Sequence, residues 1–171
     1  SSNFETLETA WIWRGDNYGR TADGVMRSTP IYADGLLYTV AGTRRQVVAI
    51  DPATGETLWT FREPNTVRWE RSPRQNYGRG VAYAEVEGRG VIYVVTPGFF
   101  LHALDAKTGE PLEGFGGAIP IEGFPETGSV DMLATLGHNY DVNTGIDLAR
   151  GAITTSSPPL VVNGVIIVGN S

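Results

Sequence analysis

The stretch Val48–Trp59, VAIDPATGETLW, decides how this chain is read, because it returns 54 residues later as His102–Glu113, HALDAKTGEPLE. Ala49 matches Ala103, Asp51 matches Asp105, Thr54-Gly55-Glu56 matches Thr108-Gly109-Glu110, and Leu58 matches Leu112. An apolar run precedes each copy, Leu36–Ala41 (LLYTVA) and Val91–Thr96 (VIYVVT). A third, partial copy starts at Pro158 with PPLVVNGVIIVGNS, which parallels Pro30–Val40, PIYADGLLYTV.

The unit has a direct physical reading. Two short β-runs flank Asp34-Gly35 in one copy and Asn163-Gly164 in another. Asp-Gly and Asn-Gly supply the positive φ angles that two-residue hairpins require. The run VVAID then leads into PATG and ETLWTF, where Asp51 can bond its own backbone two residues on and Gly55 can take the left-handed position. Four strands in every ~35 to 40 residues is the pattern of a β-propeller blade. The fold class is therefore all-β, with about two and a half blades of a larger ring, since a propeller closes with ~4 to 8 blades. The expected boundaries are an N-terminal segment over 1–27, blade 1 over 28–61, and a connector with blade 2 over 62–116. An inter-blade insertion over 117–154 and the first hairpin of blade 3 over 155–171 complete the division, with the chain incomplete as a ring.

Length and composition agree. The chain has 171 residues, of which 22 are Gly and 10 Pro, and 41% are hydrophobic against 19% charged. That is too apolar for a disordered tail, and Gly with Pro in this abundance suits many tight turns. Length alone, at roughly 150 residues per domain, would suggest one finished domain; the repeat argues otherwise. Lys plus Arg number 13 and Asp plus Glu 19, a net charge of −6, which argues against a nucleic-acid partner. The absence of Cys excludes disulfides and thiolate chemistry. The opening SSNFETLETAW has neither the basic nor the apolar region of a signal peptide.

The pattern Ala-x-Asp-x-x-Thr-Gly-x-x-x-Trp, complete at Ala49, Asp51, Thr54, Gly55 and Trp59, resembles the tryptophan-docking motif of the pyrroloquinoline-quinone (PQQ) dehydrogenases. In that family of eight-bladed quinoproteins, the Trp of one blade stacks on a peptide plane of the next. The second copy carries Glu113 where the Trp would stand, so that docking contact is expected to be missing. Three further stretches are similar to the family in the right order: Gln75–Tyr83, QNYGRGVAY; Leu104–Gly116, LDAKTGEPLEGFG, which is similar to the blade-two hairpin; and Ser156–Ser171, SSPPLVVNGVIIVGNS. The likeness covers about residues 10–116 and 155–171, and is nearest to the membrane-bound sugar and soluble alcohol branches.

The resemblance implies a set of cofactor-binding residues. Arg79 matches the arginine that contacts the quinone oxygens, and a guanidinium forks well onto a tricarboxylate ortho-quinone. Ser156 matches a hydroxyl residue that bonds a cofactor carboxylate, with Thr155 the alternative if the register slips by one. Ser171 aligns with a small residue lining the cofactor face. Arg27 stands at or beside a position where the family commonly has a Glu, which reverses a local charge. Catalytic carboxylates and the calcium ligands are expected beyond Ser171, so no metal site is assigned in this chain. The implied cofactors are PQQ and Ca2+. The implied activity is a dehydrogenase oxidising an alcohol or an aldose sugar and passing electrons to a quinone or cytochrome. The expected partners are the remainder of the propeller, the small substrate and that acceptor, with no nucleic acid, on the periplasmic or extracellular side of the bacterial envelope. The fragment alone is expected to be inactive. The competing reading is a non-catalytic propeller of the same fold serving as an envelope assembly or binding scaffold.

Three other signals are weaker. Asp141-x-Asn143-x-Gly145-x-Asp147 has oxygen ligands at alternate positions but lacks the bidentate Glu and the Gly placement of a calcium loop, which favours a plain polar loop. His102 and His138 are isolated, and His102 falls in a strand, which favours a structural role. Arg68, Arg71, Arg74 and Arg79 around Trp69 and Tyr77 suggest a stacking, anion-binding surface.

Overall fold

A computed structural model describes residues 3–19, 24–75, 78–137, 139–147 and 153–170. Its strands fall into three antiparallel sheets laid face against face. Blade 1 is β1 (Ile31–Ala33), β2 (Leu36–Ala41), β3 (Gln46–Ile50) and β4 (Thr57–Phe61), in that spatial order. Blade 2 is β5 (Ala82–Val86), β6 (Arg89–Val95), β7 (Phe100–Asp105) and β8 (Ser129–Asp131), again in sequence order. β9 (Leu160–Val162) and β10 (Val165–Ile167) form a hairpin beside β5. A single helical turn, α1 (Val67–Arg71), lies in the connector between the blades.

Turn chemistry sets the register. Asp34 and Gly35 have φ of 47° and 83°, Glu87 and Gly88 have 51° and 76°, and Asn163 and Gly164 have 50° and 76°. Two successive left-handed residues make the tight hairpin turn whose twist matches that of the strands. Asp51 Oδ1 accepts from the Ala53 N–H at 2.7 Å, and Gly55 N–H donates to the Asp51 carbonyl at 2.8 Å, which turns β3 into β4. The turn after β7 repeats this, but the next strand does not follow at once. The sequence division ended blade 2 at residue 116, whereas its sheet takes its fourth strand from Ser129–Asp131, inside the segment read as an insertion. Residues 110–116 pair with the sheet through isolated bridges and not a ladder, Pro111 lacking an N–H to donate, while Leu112 and Phe115 pack on its face.

Side-chain alternation with period two divides the apolar residues into three cores. Leu37, Ala41, Val48 and Ile50 face the N-terminal segment, meeting Trp11, Trp13 and Tyr18. Tyr38, Val40, Val47 and Ala49 point the other way, against Ile92, Val94 and Leu104 of blade 2. Val91, Tyr93, Val95, Leu101 and Ala103 form the opposite face of blade 2, against Val161 and Ile166 of the third hairpin. Because both faces of each central strand are buried, those strands are almost continuously apolar.

Two tryptophans join the layers. Trp59 Nε1–H donates to the Ala106 carbonyl at 3.0 Å, and its ring covers Gly109, where a Cβ would stand 2.5 Å from Cε3. Trp11 does the same one layer earlier, donating to the Pro52 carbonyl at 2.9 Å and covering Gly55. Glu113 is exposed in a turn, as its charge dictates.

A buried polar group also lies between blades 1 and 2. Glu63 is fully buried and both its carboxylate oxygens accept from the Gly98 N–H, at 3.2 and 3.1 Å. Burial pushes its carboxyl up to about 7, against hydrogen bonds from Thr96 and Gly98 and the charges of Arg44 and Arg68. His102, fully buried in β7, pairs with Ser129 Oγ at 2.8 Å and Thr96 Oγ1 at 3.4 Å, and burial lowers its pKa to about 3. A neutral, hydrogen-bonded imidazole packed by Phe61, Phe100 and Phe124 is a structural residue.

Candidate functional site

Three segments far apart in sequence meet where the chain enters the first strand of each blade. Thr29 N–H donates to the Arg79 carbonyl at 3.0 Å, and Arg79 N–H donates to the Ser156 carbonyl at 2.8 Å. The backbone of Arg79 is thus clamped from both sides. Gly80 permits the clamp: its φ is +138°, and a Cβ there would lie 3.0 Å from the Thr29 carbonyl oxygen. The segment carrying Arg27 is fixed by Ser28, whose Oγ accepts from Thr39 Oγ1 at 2.8 Å and Val40 N–H at 3.2 Å.

The side chains fall into an exposed and a buried set. Arg79 is exposed and makes no side-chain hydrogen bond or ion pair among the described residues. Arg27 is also exposed. Thr155 and Ser156 are buried as residues, at 3% and 5% exposure. Arg74 Nη1 donates to Ser156 Oγ at 3.2 Å, leaving the serine proton to be donated elsewhere. Arg45 supports this corner from beneath. It sits in the β2–β3 turn with a left-handed φ of 49°, is buried, and donates to the carbonyls of Arg74 and, at 3.4 Å, Val95. Its stem passes under Gly78, where a Cβ would stand 3.0 Å from Cδ.

The clamp therefore brings Arg79, Thr155 and Ser156 together with the segment that follows Arg27, and it adds Arg74. Ser171 lies outside the described residues, as do His138 and Tyr77. Arg68 is not part of an anion-binding surface: it is buried and forks onto Asp131 at 2.8 and 3.0 Å. Arg71 is exposed and lines an open cleft with Tyr140 and Asp147, while Trp69 lies under the Arg44 guanidinium at 4.2 Å. Asp141 Oδ1 accepts from Thr144 N–H, Asn143 N–H and Thr144 Oγ1 at 2.8, 2.9 and 3.2 Å, bonds that hold its carboxyl below the usual range. That oxygen is engaged by its own turn, in keeping with a polar loop. Among the described residues no three His, Asp or Glu side chains converge as a metal-ligating group.

Sequence reasoning missed Arg45 and Trp11. A buried Arg in a turn has no sequence signature, whereas the alternation of Trp11 and Trp13 about the exposed Ile12 was a usable one. Chemically, the corner offers a cationic fork, a second guanidinium and buried hydroxyl donors. Such donors suit a small polyanion.

Four-stranded antiparallel blades joined by docking tryptophans define the class as a quinoprotein-type β-propeller. The chain belongs to the PQQ family described as "Glucose/ethanol/alcohol dehydrogenase, beta-propeller domain", which matches residues 1–171. It is 29% identical over 178 aligned residues to the glycerol dehydrogenase large subunit of Gluconobacter oxydans, covering 98% of this chain and 21% of that protein. It is 34% identical over 113 residues to quinohemoprotein alcohol dehydrogenase ADH IIB of Pseudomonas putida, covering 66% of this chain and 15% of the relative. The fold matches the crystal structure of the quinohemoprotein alcohol dehydrogenase of Comamonas testosteroni with a TM-score of 0.66, at 24% identity, over 99% of this chain and 20% of that one. The chain thus spans only 15–21% of the length of these relatives.

Proposed function

We propose that this chain forms the first blades and part of the cofactor wall of a PQQ-dependent dehydrogenase. The substrate is an alcohol or an aldose sugar, electrons pass to a quinone or cytochrome, and the enzyme works on the periplasmic or extracellular side of a bacterial envelope. The observation that carries this reading is the clamp on Arg79, which presents an exposed guanidinium, unpaired among the described residues, from a backbone fixed to two other blades. Relatives named as glycerol and alcohol dehydrogenases support the alcohol side of it.

Arg79 would hold quinone or carboxylate oxygens through its fork. Ser156, accepting from Arg74, would donate its proton to a cofactor carboxylate, with Thr155 beside it. Arg27 would add positive charge to the same polyanion. PQQ, when bound, supplies the two-electron acceptor. The residues of this chain bind and orient it; the base that takes the substrate proton and the calcium ligands are sought elsewhere in the longer polypeptide.

The test uses the complete polypeptide without its cofactor, titrated with PQQ and calcium and read both by cofactor absorbance and by dye-linked alcohol or sugar oxidation. Arg79→Ala should weaken PQQ binding by roughly ten- to a hundredfold, as expected for loss of a charge-assisted pair. Arg79→Lys should recover only part, because a point charge does not replace the fork. Normal reconstitution of Arg79→Ala would remove the basis of the proposal.

A further inference from the structure

The loop Asp141–Gly145, DVNTG, is a third copy of the Asp-x-x-Thr-Gly turn. Gly145 N–H donates to the Asp141 carbonyl at 2.7 Å, as Gly109 does to Asp105 and Gly55 to Asp51, both at 2.8 Å. Asp141 Oδ1 accepts from Asn143 N–H, Thr144 N–H and Thr144 Oγ1, and Asp105 Oδ1 accepts from Lys107 N–H, Thr108 N–H and Thr108 Oγ1 in the same way. The glycines match too, with φ of 76°, 76° and 80° at Gly55, Gly109 and Gly145.

In the first two turns a tryptophan covers the glycine and donates to the carbonyl one residue past the Asp. In the third, the position over Gly145 is taken by Arg68. A Cβ on Gly145 would meet Arg68 Cγ at 3.3 Å and Cδ at 3.8 Å. Arg68 Nη1 reaches the Val142 carbonyl at 3.5 Å, the oxygen equivalent to those of Pro52 and Ala106. We infer that Arg68 is the docking residue of this third turn, its methylene stem replacing the indole face and its guanidinium replacing the indole N–H. Asp131 neutralises it, and the Phe100 ring lies 3.9 Å from its Cζ, so a charged side chain fits a seat otherwise occupied by an aromatic one. α1 exists to deliver it: Thr66 caps the turn by accepting from the Trp69 N–H at 2.9 Å, which aims Arg68 inward. Arg68 thereby fixes the 139–147 loop against blade 2. This holds whether or not Arg79 binds PQQ.

The test separates the stem from the ion pair in the complete polypeptide. Arg68→Met/Asp131→Asn removes both charges and keeps an apolar stem over Gly145; Arg68→Ala/Asp131→Asn removes the stem as well. Hydrogen exchange from sub-second to minutes is read at the amides of Asn143, Thr144 and Gly145, with those of Lys107, Thr108 and Gly109, seated by Trp59, as the internal reference. The Ala variant should exchange about tenfold faster than the Met variant at 143–145 and equally at 107–109, the sign of a local opening. Equal exchange at 143–145 in the two variants overturns the inference. If the Ala variant does not fold, Gly145→Ala serves instead. Its methyl presses on the Arg68 stem in addition to straining the backbone at φ +80°, so exchange at 143 and 144 should rise more than exchange at the two preceding amides does in Gly114→Ala, whose glycine has φ +79° and nothing within 4 Å; an equal rise overturns the inference.

Discussion

Replacing Gly109 by Ala tests the joint between blades, and Gly35→Ala supplies its control. Both glycines are left-handed, with φ of +76° and +83°, so both substitutions strain the backbone by roughly 1–2 kcal/mol. At Gly35 the new methyl has nothing within 4 Å, and the effect ends there. At Gly109 it would stand 2.5 and 2.7 Å from Trp59 Cε3 and Cδ2. The ring cannot slide aside while Nε1 bonds the Ala106 carbonyl at 3.0 Å and Tyr38 stands 6.0 Å away, ring to ring. Displacing the indole loses that hydrogen bond, about 1 kcal/mol, and opens an apolar contact worth about 1–2 kcal/mol more. The Ala106 carbonyl keeps the Tyr38 hydroxyl at 3.0 Å, so no buried acceptor is orphaned and the extra loss stays near that sum. Gly109→Ala is thus expected to destabilise by about 3–5 kcal/mol and Gly35→Ala by about 1–2 kcal/mol. Urea denaturation of the complete polypeptide measures the difference as a shift in midpoint at constant slope. Equal shifts for the two variants would show that Trp59 does not lock onto Gly109, and the account of how the blades join would fail.

Two further outcomes are expected. His102 stays neutral in the folded chain down to about pH 3, while the unfolded chain takes its proton near 6.5, so its contribution to stability is lost as pH falls between those values, by on the order of 5 kcal/mol at most. Glu63, raised from 4.5 to about 7, acts oppositely: its contribution is full below 4.5 and is lost as pH rises through about 7. The two slopes offset between about 4.5 and 6.5, and Glu63→Gln should uncover a steeper rise of the denaturation midpoint with pH there; a slope matching the natural protein's would contradict the raised Glu63 carboxyl. Gly80→Ala should break the Thr29–Arg79 clamp, because its methyl meets the Thr29 carbonyl at 3.0 Å with φ at +138°. PQQ affinity should then fall while stability drops by only about 1–3 kcal/mol, and unchanged affinity would separate the clamp from the site.

Much of the fold lay in local chemistry. Asp34-Gly35 and Asn163-Gly164 mark their hairpins because two-residue turns demand positive φ, which few residues supply. The repeat around Asp51 and Asp105 marks its turns because the carboxylate bonds its own next amides. Such interactions span only a few residues, so sequence spacing records them. The outer strand of blade 2 was not legible, because Ser129–Asp131 is short, follows an irregular stretch, and is a strand only by virtue of β7 beside it.

The site divides the same way. The sequence by itself determined the blade repeat, the seat of the docking tryptophan and the motif around Arg79, since each depends on neighbours within a few positions. Only the tertiary structure decided that Arg79 is clamped between Thr29 and Ser156, that Arg74 and not Arg68 reaches Ser156, and that Arg68 takes a tryptophan's place over Gly145. Four arginines within twelve residues look equivalent as letters. Their separation into a buried ion pair, a support and an exposed fork follows from which face of which blade each meets, and burial of a guanidinium is tolerated only where an acid or carbonyls from distant segments converge on it.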